Sequence, residues 1–157
     1  MFLAGDRLEH RETRIKDFLN SEPAIAVLLA AASLEWSISR AIVRFGRTPN
    51  SRLREMLVGC YGLDTYKKLW QDEVISSSYP MRLAQVVRNW EAVKTAFGMR
   101  GGLIHGKSTC TRNTAEPHVE ILLEAARDVA AYFENRGVGI NDRIPVRRKE
   151  RRDAIRR

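Results

Sequence analysis

Cysteine is scarce in this chain: Cys60 and Cys110 stand alone, with no CxxC pair and no His/Cys cluster. That excludes a disulfide-stapled secreted scaffold and the usual zinc modules. The two thiols read as reduced, half-buried side chains of a cytoplasmic protein. Stretches with period-two alternation are absent, and β-branched runs are few, which argues against a sheet. Long apolar runs are also missing. The longest, Ala24 to Ala32, has nine residues and falls short of a bilayer span. Asp6, Glu9, Glu12, Asp17 and Glu22 precede it, whereas a signal peptide begins with basic residues. The run is therefore expected at the centre of a buried helix, with no membrane contact. No carboxylate cluster demands a metal, and no cofactor is expected.

What is present fits one soluble domain. The chain has 157 residues, 44% of them hydrophobic and 29% charged. That length builds a core without disulfides or metals. Basic charge is in excess, at a net +8, but its location matters more than its size. Residues 143–157 hold eight Lys and Arg against Glu150 and Asp153, so +6 of the +8 lies there. The division is a domain over 1–142 and a flexible basic tail over 143–157. Such a tail favours phosphate polymers through counterion release, without sequence preference.

Apolar spacing predicts helices throughout. The first covers 6–20, with Leu8, Ile15, Phe18 and Leu19 as its contacts. Ser21 is the expected N-cap of a second helix, which has Pro23 in its first turn and ends at Gly46. Thr48-Pro49-Asn50 is a turn, followed by short helices over 51–60 and 64–74. Leu83, Val86, Val87, Trp90, Val93 and Phe97 fall on one face of a helix over 80–99. A polar connection starts at Lys107, and a last helix spans 116–135. Trp36, Trp70 and Trp90 sit among apolar neighbours and read as core. The sum is an all-α, antiparallel helical bundle with two shorter inserted helices.

The chemistry-bearing segment is Met99-Arg100-Gly101-Gly102-Leu103-Ile104-His105-Gly106. Histidine changes charge near neutral pH, and arginine's planar fork suits phosphate oxygens. Together they supply a proton acceptor and a phosphate clamp. Five positions on an unbroken helix separate two side chains by roughly 140° around the axis. Either Gly101-Gly102 loosens the helix so that both reach one pocket, or two copies of the segment meet across a symmetry axis.

Arg100 and His105, spaced Arg-x4-His and following a long amphipathic helix, resemble the signature of the HEPN superfamily. These are helical domains of prokaryotic toxins, phage-defence proteins and some CRISPR nucleases. The resemblance covers residues 21–136. It implies metal-independent endoribonuclease activity at a composite homodimer site, and regulation by an antitoxin or sensor protein. It also implies the roles. His105 takes the proton from a ribose 2′-hydroxyl, and Arg100 holds the scissile phosphate. Many active members carry a polar residue directly after the arginine, where this chain has Gly101. That departure supports an alternative: an inactive HEPN-like module that docks to nucleic acid or a partner protein.

Lys107 and Arg112 follow the motif and are candidates to hold flanking phosphates of the RNA. Glu35 is a candidate to orient Arg100 or His105, or else pairs with a surface lysine. His10 and His118 have no partner at a meaningful spacing. The helix after Thr48-Pro49-Asn50 offers Arg52 and Arg54, too few for a helix-turn-helix reader of DNA bases.

Overall fold

In a computed structural model, residues 7–147 are described, and among them every regular element is helical. The elements are α1 (Leu8–Ser21), α2 (Pro23–Phe45), α3 (Asn50–Val58), α4 (Leu63–Glu73), α5 (Leu83–Val86), α6 (Trp90–Ile104) and α7 (Arg112–Glu134). The all-α bundle expected from the apolar spacing is the fold observed.

Two helices form its centre. α2 packs along α7, and α1 and α6 flank the pair. Phe45 near the end of α2 stacks on Phe133 near the end of α7, with ring centroids 3.9 Å apart, so the central helices run in the same direction. α1 runs against them: Lys16 pairs with Glu120 at 2.7 Å and Glu12 with Arg127 at 3.3 Å. α6 does likewise and returns into α7 through a short connection. The face of α2 toward this core is built from small residues, Ala26, Ala30, Ala31, Ser33, Ser37 and Ala41, all buried. Small side chains let helix axes approach closely. α7 answers with Val119, Leu122, Leu123, Val129 and Phe133, all fully buried. Each such large side chain contributes about 1.5–3 kcal/mol relative to exposure. By length and composition α2 could cross a bilayer, which the nine-residue run alone did not suggest. Here it is the bundle's central helix. Cys60 and Cys110 are free and half-buried, as expected, and burial pushes the Cys60 thiol up.

Three boundaries differ from the sequence expectation, each for a local reason. Ser21 closes α1 rather than capping α2, and the single residue Glu22 joins them. Proline disfavours helical backbone in the residue before it, so Pro23 moves the break to Glu22. The helix expected over 80–99 is broken between α5 and α6. Asn89 caps α6, accepting from the Ala92 N–H at 3.2 Å. The Arg88 N–H and Nε both donate to the Asp128 carboxylate of α7, at 3.0 and 2.8 Å, which fixes the break. α7 starts at Arg112, earlier than expected, because Thr111 and Thr114 cap it reciprocally.

The corner after α2 is tightly bonded. The Glu73 carboxylate is buried and accepts from the N–H groups of Arg47 and Thr48 and from the Thr48 hydroxyl, at 2.7–3.0 Å. Arg147 donates to the carbonyls of Val43 and Arg44, at 2.5 and 2.7 Å, and so satisfies the end of α2. Asn50 donates to the Pro145 carbonyl at 2.9 Å and accepts from the Arg147 N–H at 3.2 Å. Residues 143–147, the start of the expected tail, are therefore held against the bundle. The remainder of that tail, 148–157, lies outside the described residues.

Candidate functional site

Gly101 and Gly102 do not stop α6. The helix continues to Ile104 and His105 is its C-cap. Gly106 ends it instead, with φ at +64°, a conformation that glycine adopts without a Cβ penalty. The Gly106 N–H reaches the Leu103 carbonyl at 3.2 Å and the Lys107 N–H reaches the Gly102 carbonyl at 2.8 Å. These two bonds make a Schellman end, which satisfies carbonyls that helix termination would otherwise leave open. Of the two routes open in the sequence, loosening at the glycine pair is therefore overturned.

The unbroken helix fixes where the side chains go. Arg100 is half-buried on the α6 face toward α2. Its Nη2 lies 3.5 Å from Glu35 Oε2, and its guanidinium lies 5.8 Å from the centre of the Phe97 ring. The choice left open for Glu35 is thus decided: its partner is Arg100. Burial pushes the Glu35 carboxyl up, and the Arg100 cation pulls it back. His105 is exposed at the end of the helix, beside Ile104, an isoleucine with 53% of its surface exposed. Within one chain the cation and the imidazole therefore diverge.

Two groups extend the site beyond the residues singled out in the sequence. Tyr66 of α4 is buried, and Ser39 of α2 lies close enough to act on its phenol. Burial pushes its phenol up, Ser39 opposes this, and both Glu35 and Arg100 lie within electrostatic reach. Nothing in the sequence singled out Tyr66, whose place beside α2 is set by the tertiary fold.

Lys107 is exposed on the turn after His105. Arg112 is not a loop cation but the first residue of α7. Its Nη1 donates to Asn20 Oδ1 at 2.5 Å, which ties the start of α7 to the end of α1, and Glu116 lies 4.0 Å away. Arg88 is exposed but engaged with Asp128 and Glu124. Trp70 is core, as expected, whereas Trp36 and Trp90 are only half-buried. Among the described residues, no three His, Cys, Asp or Glu side chains gather as a metal site would require. No family model, curated protein or solved structure matches this chain.

Proposed function

We propose that this chain is a metal-independent endoribonuclease of toxin or phage-defence type, a HEPN-like domain that works as a homodimer. The observation that carries the reading is the pairing of a half-buried Arg100, steadied by Glu35, with an exposed imidazole five positions on along a continuous helix. The roughly 140° between them along the helix sets the two side chains on different faces of α6. A second copy related by a two-fold axis supplies the missing partner. The exposed Ile104 beside His105 suits such a contact.

The chemistry follows from the groups. His105 of one copy takes the proton from the ribose 2′-hydroxyl. The O2′–P bond forms, the P–O5′ bond breaks, and the departing 5′ oxygen takes a proton from water. The products are a 2′,3′-cyclic phosphate and a 5′-hydroxyl. Arg100 binds the phosphate and stabilises the charge that builds on it. DNA lacks the attacking hydroxyl and is spared.

The test is RNA cleavage in EDTA with analysis of the ends. Cyclic phosphate ends are expected from the wild type, and at least about 10²-fold fewer from Arg100→Ala or His105→Ala. Mixing the two variants restores cleavage if the pair is shared between copies. A mixture that stays silent refutes the shared site. One observation favours the alternative of a non-catalytic binding module: Arg100 already has an anion in Glu35. That reading expects no cleavage by the wild type, and RNA or partner binding that His105→Ala leaves unchanged.

A further inference from the structure

A groove of about 360 Å³ opens on the face of α2 that turns away from α7. Its floor is apolar: Trp36 and Val43 of α2, Leu57 and Val58 of α3, and Ile144 of the returning chain. Its polar side chains are Ser39, Arg40 and Arg54, and no carboxylate lines it. Val58 is 76% exposed, a large apolar group at the mouth.

Neither Arg40 nor Arg54 pairs with a carboxylate among the described residues. Arg40 donates to the carbonyls of Ile140 and Asp142 at 3.0 and 3.1 Å, which are neutral acceptors. Arg54 is exposed and makes no hydrogen bond or ion pair among the described residues. Arg44 stands near, and its carboxylate partner is Asp142 at 3.4 Å, itself largely exposed. Burial lowers the Arg40 guanidinium's pKa, and the charges of Arg44 and Arg54 lower it further. An anion in the groove relieves that repulsion. The groove also adjoins the Arg100 site: Ser39, which lines it, lies one turn along α2 from Glu35, the partner of Arg100.

We propose that this groove is a nucleotide subsite for single-stranded RNA, with an unstacked base on the apolar floor beside Trp36 and its phosphate on Arg40 and Arg54. The volume suits one nucleotide, within the range of small-ligand pockets. Arginine beside an aromatic ring is the usual pairing for unstacked bases. The choice of RNA rests on the ribonuclease reading. The subsite makes it selective, because a base held in a duplex cannot enter.

The test uses the full chain carrying His105→Ala, so that RNA survives. Binding of a fluorescein-labelled oligouridine is followed by anisotropy over a salt series. In this background Arg54→Ala is expected to weaken binding about tenfold and to reduce the salt slope by about 0.7, the loss of one phosphate contact on a single strand. Val58→Asp, at an exposed position, is expected to weaken it at least as much. An oligomer carrying 4-thiouridine is expected to cross-link to the groove residues. Duplex RNA is expected to bind without sensitivity to either change. Single-strand binding that is absent, or that ignores both substitutions, overturns the proposal. So does duplex RNA that loses affinity equally with them, since the surface then reads backbone charge alone. The two readings fail separately. A wild type that leaves RNA intact, while the groove variants still lose oligouridine, sinks the nuclease and keeps the subsite. Cleavage that needs His105 but ignores Arg54 and Val58 does the reverse.

Discussion

Two corners of this bundle hold charged side chains of similar kind and use them in opposite ways. At the corner after α2, Glu73 and Arg147 have their oxygens and nitrogens committed to backbone groups and to the Thr48 hydroxyl. At the corner between α6 and α7, Arg100 has one loose ion pair, while His105 and Lys107 face solvent. Charge-assisted bonds to backbone make the first corner a clamp. At the second, the donors and acceptors of His105 and Lys107 are left open to solvent. Residue type does not separate the two corners; the count of unspent hydrogen-bonding groups does.

The sharpest way to break that contrast is to exchange the expected consequences. His105→Ala is expected to reduce cleavage by about 10²–10⁴-fold, the worth of a positioned general base. Its melting temperature is expected to match the wild type, because the imidazole has no hydrogen-bond or ion-pair partner among the described residues. Arg100→Ala is expected to lose about 10²-fold, from some 3 kcal/mol of lost charge stabilisation. Glu73→Ala is expected to do the converse. It strands the N–H groups of Arg47 and Thr48, at about 1–3 kcal/mol for each buried group left unpaired. Urea denaturation at matched cleavage activity checks it. A Glu73 variant of full stability, or a destabilised His105 variant, would erase the distinction between the corners.

How much of this was legible in the residues depends on where each signal lives. The apolar periodicity of α1, α2 and α7 is local, and it placed those helices within a few residues. The same periodicity ran straight through 83–97 and concealed a break there. The break exists because Asn89 caps α6 and because Asp128, far along the chain, captures the Arg88 N–H. Glycine propensity suggested that α6 ends at Gly101. Helical bonding already in place outweighed a cost of about 1 kcal/mol per glycine, and only the positive φ at Gly106 ended the helix. Arg100, His105 and Glu35 were visible as candidates, but the ion pair between two of them is tertiary. The groove was not visible at all, since α2, α3 and Ile144 meet only in the fold.

A smaller effect sharpens the second corner from the inside. Burial raises the Glu35 carboxyl above its ordinary value, and Arg100 only partly offsets this. A carboxyl raised in the folded state contributes stability below its unfolded pKa and loses it as pH rises through its folded one. The wild type is therefore expected to lose melting temperature relative to Glu35→Gln as pH rises from about 4 to 7. In an Arg100→Ala background the loss is expected to be steeper, because the cation that opposes the burial cost is gone. Thermal scans of these variants across that range check both statements. A flat difference would mean that Glu35 is solvated, and its hold on Arg100 incidental.

The smallest effects concern the two glycines, which the backbone treats differently. A Cβ at Gly101 would meet nothing within 4 Å, whereas one at Gly102 would lie 3.1 Å from the Ser108 Cβ. Gly101→Ala is expected to stabilise by about 0.5–1 kcal/mol, the gain of alanine over glycine inside a helix. Gly102→Ala is expected to forfeit that gain, because the turn carrying Ser108 must shift. The open space beside Gly101 also admits a polar side chain directly after Arg100, as in many active HEPN domains. Gly101→Asn is accordingly expected to fold as well as the wild type and to cleave RNA faster. Folding without faster cleavage would show that the glycine is no handicap, and that Glu35, across from α6 on α2, already steadies the arginine. Faster cleavage would mean that this ion pair leaves Arg100 incompletely positioned. Either result assigns the residue that orients the cation, and measured rates of Gly101→Asn with and without Glu35→Gln separate them.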